Sequence, residues 1–160
     1  MTICNESELE NHKLFKSMAV EPLGNEFNAD YLLEKISGKK TVIKGALLDQ
    51  RIVVGLGNIY VCEALNMAKI SPVRIAYELS NDEAEKLVPI IREILTRAIE
   101  AGGASLKDFA GVEGDLGYFQ HQFSAYGREG EACKNDGCKG IIDRIIQGGR
   151  STFYCPICQK

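Results

Sequence analysis

Histidine is nearly missing from this chain: His12 and His121 are the only two in 160 residues, and neither lies beside a serine or cysteine in a nucleophile context. No hydrolase triad is recognisable from the sequence. Neither GxxxxGK nor GxGxxG occurs, which removes the usual phosphate loops of nucleotide-cofactor enzymes. There is no hydrophobic signal segment and no apolar run near the ~20 residues of a membrane span. The expectation is a cytoplasmic protein without a membrane partner, whose cysteines are reduced. Positive charge is not in excess either, with 19 basic against 22 acidic residues and a net charge of -3. Composition as a whole therefore does not announce a nucleic-acid partner.

The distribution of charge says more than the sum. Residues 1 to 33 hold six acids against two lysines, whereas Lys35, Lys39, Lys40, Lys44 and Arg51 follow against only Glu34 and Asp49. This basic stretch leads directly into RIVVGLGNIYVCEA, Arg51 to Ala64, where Gly55 and Gly57 permit a sharp backbone turn and Asn58 is placed to open a helix. Such a corner aims main-chain N–H groups and a helix dipole at an anion, of which phosphate is the obvious example. At the far end stand Cys133 and Cys138, then Cys155 and Cys158, in CKNDGC and CPIC with sixteen residues between the pairs. That is the pattern of a four-thiolate zinc site, closed and structural because no coordination position is left for water or substrate. Of the remaining cysteines, Cys4 falls in an acidic, aperiodic leader expected to be partly disordered, and Cys62 is expected to pack as a small core residue.

Periodicity places the elements. Asn28 is a plausible cap for a short helix ending at Gly38, and a second helix is expected over about Thr41 to Gln50, with Lys44 near its start. A mostly buried helix follows from Asn58 to about Ala68. Ser80 to Glu83 reads as a capping box for the longest helix, roughly 81 to 101, whose core face includes Leu87, Ile91, Ile94, Leu95 and Ile99. Pro89 should bend it or delay its start. Residues 103 to 124 lose periodicity and carry Gly111, Gly114 and Gly117, as a lid-like loop would. Ile141 to Ile146 and Ser151 to Tyr154 suit two short strands joined across Gln147 to Arg150, a hairpin too small to be stable without metal.

GLGNIYVCEAL, KDFAGVEGDLGYF, AYGREGEAC and GGRSTFYCPICQK, in this order and spacing, resemble the C-terminal half of formamidopyrimidine-DNA glycosylase, a bacterial repair enzyme for oxidised purines. The resemblance runs from about His12 to Lys160. It implies a mainly α fold, a helix-two-turn-helix DNA-binding domain followed by a zinc-finger β-hairpin, with the N-terminal catalytic β-sandwich absent. The implied layout is a leader or linker remnant over 1–22, a helical domain over 23–124 with the loop at about 104–120, and a zinc finger over 125–160. Double-stranded damaged DNA is the implied partner. Lys44, Asn58, Tyr126, Arg128 and Arg150 are its implied contacts, with Lys44 facing the DNA near the lesion and Arg150 reaching the backbone beside it. The loop would close over an extruded base, although Glu113-Gly114-Asp115 carries an acid where many members have a lysine.

The family's chemistry uses an N-terminal proline amine and an adjacent glutamate, and this chain begins Met1-Thr2-Ile3-Cys4. No catalytic residue is therefore assigned, and the chain is expected to bind DNA without glycosylase or lyase activity of its own, as a monomer, associated with the bacterial nucleoid. A missing or separately encoded catalytic domain would complete the enzyme. Two other readings stay open at this point: a non-catalytic zinc-containing module for nucleic acid or protein, and the C-terminal half of an endonuclease VIII-like glycosylase.

Overall fold

The structure, a computed structural model, describes residues 19–102 and 122–160. The expectations for the leader up to residue 18, for Cys4 and His12, and for the loop with Gly111, Glu113 to Asp115, Gly117 and His121 lie outside the described residues.

Local chemistry sets the helix starts. Asn28 caps α1 (Ala29–Ile36), its Oδ1 accepting the Tyr31 N–H at 2.9 Å, and the helix buries Leu32 and Ile36 before the chain turns at Gly38 with φ +68°. Helix α2 (Ile43–Leu47) is a single turn, shorter than the expected 41–50. The reason is a competing backbone ladder. Val42 bridges Ile75 and the Ile43 N–H donates to the Arg74 carbonyl at 2.7 Å, so the start of the segment is held extended. Helix α3 (Asn58–Ala68) begins after Gly57, which is its cap. Asn58 is thus the first helical residue and its side chain does no capping, a correction to the sequence reading.

Helix α4 (Asn81–Glu100) carries the expected reciprocal box. The Glu83 N–H donates to Ser80 Oγ at 3.2 Å and the Ser80 N–H to Glu83 Oε2 at 2.9 Å. It starts at Asn81 and runs through Pro89, so the later start is not used; Pro89 faces solvent, where the Glu85 carbonyl that lacks its helical donor can meet water. Ile99 does not join the core: its neighbour Ala98 takes the inward position in the last turn of α4, and Ile99 is 66% exposed.

The four helices close on Phe27, Leu32, Ile36, Leu47, Leu65, Leu87 and Ile91, all buried. Each such side chain contributes roughly 1.5–3 kcal/mol. The chain before α1 belongs to the same body. Ala19 donates to the Gln50 carbonyl, Val20 accepts from Val54, and the Arg92 guanidinium of α4 donates to the carbonyls of Pro22, Gly24 and Phe27.

A second, smaller core consists of Ala125, Cys133, Ile142, Phe153 and Cys155, beneath an antiparallel hairpin of β1 (Asp143–Gln147) and β2 (Arg150–Tyr154). Gln147 pairs with Arg150, so the loop is two residues, Gly148 and Gly149, with φ of +55° and +75°. Two successive positive φ values match the twist of a hairpin and favour glycine. Strand β1 starts two residues later than expected because Ile141 is taken by a bridge to Ala132. Tyr126 joins the two cores, edge-on to Phe123 at 5.9 Å and to Phe153 at 4.8 Å. Among the described residues no helix is long and apolar enough to cross a membrane.

Candidate functional site

The two knuckles bring the sulfurs of Cys133, Cys138, Cys155 and Cys158 within 4.8 Å of one another. The Cys133–Cys158 and Cys138–Cys155 separations are 3.7 and 3.6 Å. Tetrahedral coordination with metal–sulfur bonds of about 2.3 Å requires an edge of about 3.8 Å. The set therefore fits one zinc ion. Four thiolates would hold it and, with no open position, it would brace the fold without taking part in a reaction. Gly140 lets the knuckles approach. A Cβ there would lie 2.4 Å from Cys155 Sγ, closer than packed atoms come.

The hairpin lies against the glycine corner. Asn58 Nδ2 donates to the Ser151 carbonyl at 3.0 Å, which brings the residue after Arg150 to the first turn of α3. No side chain caps that first turn, so this helix start retains the donor character that suits an anion. The Gly55 N–H is not part of it, since Gln50 Oε1 takes it at 2.8 Å.

Lys44 is not a surface cation. It is 0% exposed, and its Nζ donates to Thr152 Oγ1 at 2.6 Å and to the Ser151 carbonyl at 3.4 Å. Burial holds its pKa below the ordinary lysine value; the nearby Cys62 opposes that shift and the Arg150 charge adds to it. Arg150 is exposed beside the glycine turn. Together with Thr41, Lys44, Gly45, Asp49 and Gln147 it lines an open cavity of about 280 Å³. Close by, Asn58 Oδ1 and Gln147 Oε1 are buried acceptors without a partner among the described residues. The basic stretch is weaker than its sequence suggests, because Arg51 is paired with Asp49 through two bonds of 2.9 Å.

Tyr126 and Arg128 face inward. Tyr126 is half-buried between the two cores, and Arg128 donates to the Ser124 and Ala132 carbonyls and to Glu131. The sequence reading missed Glu63. This α3 carboxylate, 4% exposed, accepts the N–H groups of Ser124, Ala125 and Tyr126 at 2.7, 2.9 and 2.7 Å, and so fixes the chain as it enters the zinc module. A signal was present: an acid between Cys62 and Ala64 on a helix otherwise read as buried needs partners.

This arrangement has known counterparts. Residues 18–110 match the family model described as the formamidopyrimidine-DNA glycosylase H2TH domain. The chain belongs to the formamidopyrimidine-DNA glycosylase family. Residues 130–160 match a second model, the zinc finger found in FPG and IleRS. A formamidopyrimidine-DNA glycosylase of Cereibacter sphaeroides is 56% identical over 151 residues, covering 94% of this chain and 53% of that protein. That of Roseobacter denitrificans is 54% identical, covering 100% and 56%. The chain thus spans about half the length of the curated relatives it matches.

Among solved structures, the MutM (Fpg) protein of Thermus thermophilus superposes with a TM-score of 0.85 at 36% identity, covering 95% of this chain and 57% of that one. Lactococcus lactis Fpg in complex with DNA containing an abasic site gives 0.86 at 36% identity, covering 97% and 56%. The four helices and hairpin fit the C-terminal half of this family, and the four cysteines are suited to hold one zinc ion.

Proposed function

We propose that the chain is the DNA-gripping half of a base-excision repair glycosylase of the formamidopyrimidine type, and that its partner is double-stranded DNA carrying a damaged or missing base. One observation carries this reading. The open first turn of α3 and the exposed Arg150 are fastened side by side through the Asn58–Ser151 bond. A helix start and a guanidinium fork on one face can take neighbouring backbone phosphates of one strand. The relatives' names and the Lactococcus lactis complex with abasic-site DNA support the same class of ligand.

Within this reading the five expected contacts divide by geometry. Arg150 meets phosphate directly, and α3 does so through main-chain N–H groups at Asn58, whose amide nitrogen is engaged on the hairpin. Lys44 braces the hairpin from behind and meets DNA only if its ammonium leaves Thr152. Tyr126 and Arg128 support the module from inside. The working division of the chain is a helical domain and a zinc module joined at about residue 125, with catalysis supplied by the other half of the enzyme.

Arg150→Ala is the test. Binding to a duplex with a tetrahydrofuran abasic-site analogue should weaken at every sequence alike, and the logarithmic salt slope should fall by about one. Unchanged affinity and slope would remove Arg150 from the interface.

A further inference from the structure

We infer that α3 serves as a positioning bar for Arg150, presenting Asn58, Cys62 and Asn66 as a ladder that replaces a third strand along the outer edge of β2. Its functional consequence rests on the DNA reading above. The ladder itself rests on geometry.

A two-stranded hairpin leaves the outer edge of each strand with unpaired backbone groups, and burying them without partners is costly. A helix has no backbone groups to offer sideways, so its side chains must supply them. Three do so in step. Asn58 Nδ2 donates to the Ser151 carbonyl at 3.0 Å. The Cys62 sulfur lies against the backbone of Phe153, within reach of its N–H. Asn66 Nδ2 donates at 2.8 Å to Gln159 Oε1, and that same oxygen accepts the Cys155 N–H at 2.7 Å.

The spacing explains why three rungs fit. Residues 58, 62 and 66 lie on one helix face at steps of four, and each step advances about 6 Å. Residues 151, 153 and 155 lie on one strand edge at steps of two, each advancing about 6.7 Å. The mismatch is under about 1 Å per rung, so the two rows remain matched over this length. At the last rung the chain has already left β2 for the second knuckle, and Gln159 fills the gap. Its Nε2 continues to the Ile70 carbonyl at 2.8 Å, past the end of α3. Cys62, Asn66 and Gln159 are 1%, 0% and 3% exposed, so water does not compete for these bonds.

The ladder fixes register as well as distance. A slip of one residue would turn every β2 side chain to the opposite face, and Arg150 stands immediately before the first rung. Asn66, Cys62 and Gln159 are therefore positioning residues for the phosphate contact, although none faces the proposed DNA.

The experiment uses the full 160-residue chain with Cys62→Ala and Cys62→Ser, measuring zinc content, thermal midpoint, and affinity and salt slope on the abasic-analogue duplex. Cys62→Ala should keep one zinc per chain, lose about tenfold in affinity and lower the salt slope by about one, as Arg150→Ala does. The double variant with Arg150→Ala should bind no more weakly than Arg150→Ala alone. Cys62→Ser, which retains an acceptor, should restore binding. Wild-type affinity in Cys62→Ala, full additivity with Arg150→Ala, or no rescue by serine would each overturn the proposal. If the wild-type chain binds no duplex, the DNA reading fails on its own. The ladder is then judged by amide exchange, which must speed up at Phe153 in Cys62→Ala, and unchanged exchange there would overturn it.

Discussion

Glu83 is an acid tied closely to its neighbours, accepting from Arg74 and from the Ser80 N–H. The Arg74 guanidinium is the chief cause, burial opposes it and the Ser80 N–H assists, and together they hold the Glu83 carboxyl at about 2, below its ordinary 4.5. A carboxylate whose folded pKa is depressed stabilises the fold above its unfolded value and loses that contribution as pH falls toward the folded one. The thermal midpoint should therefore drop between about pH 4.5 and 2, and Arg74→Ala should flatten that part of the profile. Glu83 was legible from sequence because its capping partner is three residues away. Lys44 was not, because its partner Thr152 lies 108 residues along the chain. Local pairs can be read from spacing, whereas a buried amine that crosses between modules shows in sequence only as one more lysine.

At the scale of elements, α3 was expected to be mostly buried, and Val61, Cys62, Glu63, Ala64, Leu65 and Asn66 are all buried; what the pattern did not show is that the other helices cover one side and the zinc module the other. Periodicity reports one covered face and is silent when a second module covers the opposite one. Polar residues at buried positions are the trace of that second contact. Glu63→Ala should cost about 3 kcal/mol or more, since it strands three N–H donors where a charged acceptor satisfied them. Urea unfolding of the variant measures this, and a loss under about 1 kcal/mol would mean the Ser124–Tyr126 segment finds other partners. Helix α2 gives the reverse lesson: apolar periodicity suggests a helix over about 41–50, and a backbone ladder with Arg74 and Ile75 holds the β-branched start of that segment extended.

At the scale of the molecule, the described residues form two cores, one built by helix packing and one too small to stand without its metal. Cysteine spacing made the second legible, and GLGNIY with the capping residues made most of the first. Their mutual placement was not legible, because it depends on Glu63, Asn66, Asn135 and Gln159, whose partners are distant in sequence. Asn135 Nδ2 reaches the Asn66 carbonyl at 3.0 Å and Cys158 Sγ at 3.3 Å, linking the first knuckle to α3 as Gln159 links the second. A strong zinc chelator should therefore abolish duplex binding and the ordered hairpin while leaving most of the helical circular dichroism of α1 to α4. Joint loss of both signals would show that the helical core depends on the metal too.

The covered edge of β2 also bears on how the molecule behaves when crowded. An unprotected strand invites a neighbour's chain to add to it, the route by which small hairpins exchange segments or aggregate. Here one edge is sealed by the side chains of a helix, and the strand on the other side carries the exposed pair Asp143 and Arg144, charges that disfavour stacking of like copies. The contacts that aim Arg150 thus also close the β2 edge to a neighbour's strand.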